Sequence, residues 1–349
     1  MIKNFFGLFS KNIGIDLGTS NTLIYVYSKG IVMSEPSVVA INTRTDQILA
    51  VGRDAQRMLG KTPAHIVAVR PLINGVISDF EITEKMLRYF IDRVHEGTFT
   101  IIPRPRVVIG VPLEITEVER KAVEDAAISA GARDVHLIQE AMAAAIGARL
   151  PVQQAIGTMI VDIGGGTTEI AVISLGGVVT WKSIPIAGME LDRHLITYAR
   201  EQFNILLGDL VAEQAKLLAG SAGPLQESIV TPIRGRDMLT GLPKETILND
   251  GQIREAYSRP IKQIVDHIKH TLEITPPELV ADIYERGIVL SGGGALLRGL
   301  DKRIADEVQI PVHIADEPLT CVVRGTGAVI DNLESYRDVL LDKTNLESL

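Results

Sequence analysis

Ile15-Asp16-Leu17-Gly18-Thr19-Ser20-Asn21-Thr22 runs directly into Leu23-Ile24-Tyr25-Val26, and Val161-Asp162-Ile163-Gly164-Gly165-Gly166-Thr167-Thr168 runs into Glu169-Ile170-Ala171-Val172. Each stretch reads as strand, aspartate, glycine-containing turn, strand. The two aspartates are 146 residues apart, too long a period for a solenoid and right for a duplicated domain. Two unrelated hairpins are the simpler alternative, because Gly-Thr turns are common. The shared order of Asp, Gly and Thr argues against it.

Between the hairpins the chain alternates strand and helix. Val107–Val111 reads as a strand. Thr116 to Ala130 reads as a helix, with Thr116 and Glu119 at capping-box spacing and Gly131 as its stop. Val135–Ile138 is the next strand, and Ala141 to Ala148 opens an Ala-rich helix. This is α/β organisation. Residues 34–74 and 187–245 are more polar and irregular, and read as insertions.

Both turns suit phosphate. Glycine lets the backbone approach closely, and Thr or Ser adds donors. Asp16 and Asp162 would repel a phosphate directly, but they can hold Mg²⁺ through its waters. A pair of such turns facing each other would clamp a nucleotide tail. A third cluster, Ser291-Gly292-Gly293-Gly294-Ala295-Leu296-Leu297-Arg298-Gly299, follows the strand Gly287–Leu290. It reads as a triple glycine leading to a helix start, a flat shelf for a ring or ribose. Rival motifs fail on spacing. Neither triple glycine continues as G-x-G-x-x-G, and Gly60-Lys61-Thr62 lacks the first glycine of a Walker A loop, since residue 55 is Ala.

Together these residues resemble the ATPase fold shared by actin, the DnaK chaperones and the sugar kinases, and more closely the MreB family of bacterial actins. Asp16 to Thr22 is similar to that family's first phosphate loop, Asp162 to Glu169 to its second, and Gly292 to Gly299 to its adenosine loop. Glu35-Pro36-Ser37-Val38-Val39, Gly75-Val76-Ile77, Ala143 to Gly147 and Thr275-Pro276-Pro277-Glu278-Leu279 extend the resemblance over residues 12–335. It implies an actin-like α/β fold of two related lobes, each with a small subdomain. Lobe I is expected over 12–144 plus 318–340 with subdomain 34–74, and lobe II over 145–317 with subdomain 187–245.

The resemblance also implies chemistry. ATP is the expected nucleotide, with Mg²⁺ beside Asp16 and Asp162. Gly18, Thr19, Ser20, Asn21, Gly164, Gly165, Gly166, Gly292, Gly293, Gly294 and Ala295 would contact it, and Glu213 and Lys216 resemble the family's contacts to ribose and base. Glu140 is similar in position to the glutamate that orients the attacking water, with Thr167 holding the water's other side. Slow hydrolysis would be coupled to assembly into filaments of paired protofilaments. Those filaments would guide cell-wall synthesis and rod shape with RodZ, MreC and MreD. The chain departs from the family in three places: Ala141 stands where Pro is usual, Met189 where Asp is usual after Gly188, and Gln214 to Gly220 is more apolar than usual. An Mbl-like paralogue is the alternative within the family. A sugar kinase would need a sugar pocket and an Asp base, and a chaperone a peptide-binding domain that 349 residues leave no room for.

The bulk numbers fit. At roughly 150 residues per domain, 349 residues suggest two. A net charge of −8 makes nucleic acid an unsuitable partner. The single Cys321 gives no disulfide framework and reads as a small buried apolar side chain. No apolar run reaches the roughly 20 residues that span a bilayer, and the N-terminus has no signal-peptide cleavage site. The expected place is the cytoplasm, peripheral on the inner face of the membrane. Ile2, Phe5, Phe6 and Phe9 fall on one helical face flanked by Lys3 and Lys11, so residues 1–11 read as a membrane-binding segment. Phe99, Ile101 and Ile102 make an unusually apolar loop and a second contact with inner-membrane lipids.

Overall fold

The computed structural model describes residues 11–96 and 104–341. The chain divides into two compact units. Of the described residues, one holds those up to Ile156, Ile173–Val178 and those from Leu319 to 341; the other holds Gly157–Val172 and Val179–Pro318.

In the first unit β1 (Ile13–Leu17) and β2 (Asn21–Val26) form an antiparallel hairpin, and β3 (Gly30–Pro36) extends it. A small sheet follows: β4 (Val39–Asn42), β5 (Gln47–Val51), the short α1 (Arg53–Gln56) and β6 (Ile66–Val69), with Val38, Ala40 and Ala55 as its own core. The β7 (Leu72–Ile73) and β8 (Val76–Ile77) hairpin leads into α2 (Phe80–His95), capped by the Asp79 carboxylate. Then β9 (Arg106–Val111), α3 (Glu117–Ser129) and β10 (Asp134–Gln139) make a parallel crossover. The expected capping box forms between Thr116 and Glu119, and Gly131 takes φ 114° just past the helix end. The sheet order is β10-β9-β1-β2-β3. Ile13, Ile15 and Leu17 point to one face, where Met86, Leu87 and Phe90 of α2 cover them. Helix α4 (Glu140–Gly147) leaves β10 with no intervening loop.

The second unit opens with β11 (Thr158–Ile163), most of β12 (Thr168–Ser174) and most of β13 (Gly177–Ile184). Next come α5 (Gly188–Phe203), β14 (Ile205–Leu206), α6 (Asp209–Ala219), β15 (Val230–Asp237) and β16 (Pro243–Asn249). Then α7 (Asp250–Glu273), α8 (Pro277–Arg286), β17 (Ile288–Ser291), α9 (Leu300–Val308) and β18 (Val312–Ile314) complete it. Its main sheet runs β13-β12-β11-β17-β18. This repeats the first unit's order, three strands in sequence and then two added parallel on the other side, so the duplication seen in the two hairpins extends to the whole sheet. Residues 187–245 are not irregular, as their polarity suggested. Leu191, Leu195 and Ala199 bury one face of α5 at helical spacing, and the rest forms α6 and a three-stranded sheet β14-β15-β16.

The chain then returns to the first unit as α10 (Cys321–Asp331). Small residues let it lie close to its neighbours. A β-carbon on Gly14 of β1 would stand 2.7 Å from Thr326 Oγ1, and one on Gly327 would stand 2.7 Å from the Tyr25 ring. Cys321 is fully buried, as expected. No helix among the described residues is long and apolar enough to cross a membrane.

Candidate functional site

The turn between β1 and β2 is held through its carbonyls. Ser37 Oγ donates to Gly18 O at 2.6 Å, and Ser37 N–H donates to Ser20 O at 3.0 Å. Thr22 Oγ1 lies 2.9 Å from Ser37 Oγ, and both residues are buried. Thr19 Oγ1 accepts the N–H of Gly75 at 2.7 Å, which ties the turn to the β7–β8 hairpin. One lone pair of the Thr19 hydroxyl is therefore committed within the protein. With Gly18 and Ser20 carbonyls fixed from one side, the turn has a set shape, which is what a phosphate-binding backbone requires. Asp16 is half-buried at the end of β1, and Asn21 is exposed at the start of β2.

Glu140 is buried in the first turn of α4, where the helix dipole favours its negative charge. Its stem lies against β9: a β-carbon on Gly110 would come 3.3 Å from Glu140 Cγ. Ala141, which replaces the proline expected by resemblance, is fully buried. The helix is nonetheless locked in place by α10. A β-carbon on Gly147 would stand 1.8 Å from Cys321 O, and one on Gly325 would stand 1.8 Å from Ala143 O.

In the second unit the turn after β11 closes on itself, Gly164 N–H donating to Thr167 O at 2.9 Å. The start of α5 holds it. Gly188 N–H donates to Gly164 O at 3.1 Å, and Met189 N–H donates to Gly165 O at 2.8 Å. Two N–H groups that a helix N-terminus leaves over are thus spent on this loop. Met189 contributes through its backbone, so the departure from Asp at this position does not disturb the contact. Thr168 Oγ1 adds a bond to Ile186 O at 2.6 Å, and Thr167 is buried. Asp162 is buried, its carboxylate accepting from Ser291 Oγ at 2.6 Å. Burial pushes its carboxyl up to about 6, the serine bond opposing the shift.

The glycine cluster after β17 differs from the expected strand-to-helix start. Gly293–Leu296 forms a short 3₁₀ turn, and α9 begins only at Leu300 after Gly299 with φ 74°. Gly292, at φ 77°, and Gly294 both press on β11. A β-carbon on either would stand 2.3 or 2.2 Å from Ile163. Ala295 is fully buried. These glycines therefore seat the shelf against the strand that carries the second loop.

Glu213 and Lys216 lie on α6. Glu213 is half-buried, while Lys216 Nζ donates to Gly188 O and to Asp192 Oδ2, both at 2.7 Å. Burial pushes the Asp192 carboxyl up to about 6, and Lys216 counters it. Among the described residues, Asp192 Oδ1 and the hydroxyl of fully buried Tyr257 have no hydrogen-bond partner. Lys216 thus joins α6 to the start of α5, which in turn holds the loop Gly164–Thr167. Sequence reasoning did not single out Ser37, Ser291 or Gly188 for these roles. Ser37 and Ser291 stand inside quoted motifs, with nothing local to show their partners. Ile2, Phe5, Phe6, Phe9, Phe99, Ile101 and Ile102 lie outside the described residues.

A family model described as MreB/Mbl protein matches residues 10–338. The chain is 51% identical over 342 residues to cell shape-determining protein MreB of Escherichia coli (strain K12), covering 96% of this chain and 98% of that one. It is 47% identical over 328 residues to cell shape-determining protein Mbl of Bacillus subtilis (strain 168), covering 94% and 98%. The crystal structure of MreB5 of Spiroplasma citri bound to AMPPNP matches with TM-score 0.89 at 38% identity, covering 94% of this chain and 98% of that one. The MamK double helical filament matches in fold, with TM-score 0.78 at 23% identity over 93% and 99%.

Proposed function

The chain belongs to the MreB/Mbl family, and on that premise we propose that it is an actin-like ATPase whose membrane-attached filaments maintain rod cell shape. The observation that carries this is the loop Gly164–Thr167, closed on itself and held by α5, in a chain 38% identical to a relative solved with AMPPNP. Gly18, Thr19, Ser20 and Asn21, together with Gly164, Gly165 and Gly166, contact the phosphates of ATP. Gly292, Gly293, Gly294 and Ala295 support the adenosine, with Glu213 at the ribose.

The residues present fit a magnesium ion. Asp162 is a buried carboxylate with a raised pKa, and a cation nearby would favour its ionised form. Asp16 and Asp162 would hold Mg²⁺ through water. When bound, the ion neutralises charge on the β- and γ-phosphates. Glu140 accepts a hydrogen bond from the attacking water, and Thr167 fixes the water's position. Phosphoryl transfer needs little more than an oriented nucleophile and stabilised charge.

Filaments of paired protofilaments guide cell-wall synthesis at the inner face of the membrane, with RodZ, MreC and MreD as partners. Residues 1–11 and the 98–103 loop attach them to lipid. The test is sedimentation at rising protein concentration with ATP, ADP and no nucleotide, with phosphate release measured in parallel. Pelleting above a threshold concentration, accompanied by phosphate release with ATP, is the expected result. A protein that stays in the supernatant throughout while phosphorylating a sugar would be a kinase instead.

A further inference from the structure

A groove of about 280 Å³ opens on the first unit beside the β2–β3 turn and the end of α2. Lys11, Lys29, Arg93 and Glu96 line it, with Val32 and Met33. Each cation is placed by a different element. Lys11 donates its backbone N–H to His95 Nε2 at 3.2 Å and its Nζ to Val94 O at 2.9 Å. With Nε2 accepting, the His95 proton sits on Nδ1, which donates to Ile91 O at 2.7 Å. The ring is then neutral, and burial lowers its pKa to keep it so. Arg93 Nη1 donates to Tyr89 OH at 2.6 Å and its guanidinium lies 5.8 Å from the Tyr89 ring centroid. Lys29 ends the turn after Ser28, which takes φ 63°.

The carbonyls at the end of α2 account for Lys11, since a helix C-terminus attracts cations. They do not account for Lys29, which comes from a hairpin of the sheet. Burial first, and then Lys29, hold the Lys11 pKa below its ordinary value. Among the described residues none of the three cations has a carboxylate at ion-pair distance. Glu35 and Glu96 act on Arg93 at longer range, but Lys11 and Lys29 repel one another, and a bound anion would relieve that.

We propose that this groove binds the phosphodiester of an anionic lipid headgroup, with Lys11, Lys29 and Arg93 donating to its oxygens. Two facts favour a lipid over a free phosphate. The groove has an apolar part, with Val32 exposed. It also lies in the chain where both apolar segments join the fold: Lys11 follows directly on the segment of Ile2, Phe5, Phe6 and Phe9, and Glu96 directly precedes the segment of Phe99, Ile101 and Ile102. The inference rests on the membrane attachment proposed above, and adds a headgroup preference to it.

The experiment uses the full chain and vesicles of phosphatidylcholine, with and without phosphatidylglycerol. Wild type should bind the phosphatidylglycerol vesicles more tightly. Lys29→Gln with Arg93→Gln should cut that gain by roughly five- to thirtyfold, at about 1 kcal/mol per basic residue near the surface. Its binding to neutral vesicles and its melting temperature should stay unchanged. Arg44→Gln with Lys61→Gln, which removes two exposed cations elsewhere on this unit, should keep the gain. If this control loses as much, bulk charge is responsible and the groove proposal is overturned. Titration with glycerol 3-phosphate separates the other source. Saturable binding lost in the Lys29/Arg93 variant, without any lipid effect, overturns the lipid assignment. Phe5→Ser with Phe6→Ser should weaken binding to both vesicle types. If it binds both like wild type while the Lys29/Arg93 effect persists, attachment through residues 1–11 fails and the groove stands.

Discussion

Lys216 is matched to Asp192 at 2.7 Å in a mostly buried place, and that pairing makes a pH-dependent prediction. A raised folded pKa means that the contribution of Asp192 to stability is complete below about 3.8 and is lost as the pH rises through about 6. Removing Lys216 leaves a buried carboxylate alone, so Lys216→Met should cost about 3–5 kcal/mol at pH 8. Near pH 4 the carboxyl protonates and the deficit should largely vanish. Urea unfolding without nucleotide at the two pH values measures it, and equal losses at both would mean the pair contributes nothing special. Asp162 behaves oppositely under substitution. Asn keeps the Ser291 bond and removes a buried charge, so Asp162→Asn should stabilise the nucleotide-free protein at pH 7 by about 3 kcal/mol. The same variant should lose the Mg²⁺-dependent part of its ATP affinity, readable by calorimetry. Glu140→Ala should leave ATP binding nearly intact and slow phosphate release from preformed filaments by about 10²–10⁴-fold. Ala141 in place of Pro suggests a looser glutamate, but α4 is locked by α10, so the full loss is expected. A rate within about twofold of wild type, some 0.4 kcal/mol, would remove Glu140 from the mechanism.

Among the elements, the crossing of α4 and α10 has the least room for change. The added β-carbon of Gly325→Ala would stand 1.8 Å from Ala143 O and 2.5 Å from the carbonyl carbon. Backbone, not a flexible side chain, is in the way, so the helices must separate. The expected cost is about 1–3 kcal/mol or more, with a slower ATPase because Glu140 begins α4. Gly177→Ala is the control: its β-carbon would meet nothing nearer than Ser174 O at 3.8 Å, and its melting curve should hardly move. A Gly325→Ala protein as stable as wild type would mean the crossing is looser than this geometry requires.

For the whole molecule, the repeated sheet order β10-β9-β1-β2-β3 and β13-β12-β11-β17-β18 gives each unit a glycine turn after its first strand. Each turn is held by a different neighbour, Ser37 in one unit and α5 in the other. Assembly belongs to this scale. Pelleting should show a threshold concentration, and Gly165→Val, which should block the close approach of a phosphate to the loop backbone, should abolish ATP binding and any nucleotide-dependent part of assembly. Unchanged ATP affinity in a folded Gly165→Val protein would contradict a backbone-bound phosphate. At the lipid surface, losing Phe5 and Phe6 should weaken vesicle binding visibly, since each buried Phe contributes about 1.5–3 kcal/mol.

The two Asp-Gly-Thr hairpins, the capping box at Thr116 and the helix stop at Gly131 were all legible in the sequence, because turn and cap chemistry acts between near neighbours. With the strand–helix alternation they gave the α/β class, and the family came from the resemblance of motifs spread over residues 12–335. Other features needed the tertiary structure. Ser37 reaches Gly18 across 19 residues, Ser291 reaches Asp162 across 129, and Lys216 reaches Gly188 across 28. Gly292 and Gly294 suggested a ligand shelf, yet their space is taken first by Ile163. Such contacts have no period and no local spacing to betray them. They depend on which strands become neighbours, and that is settled only when both sheets are packed.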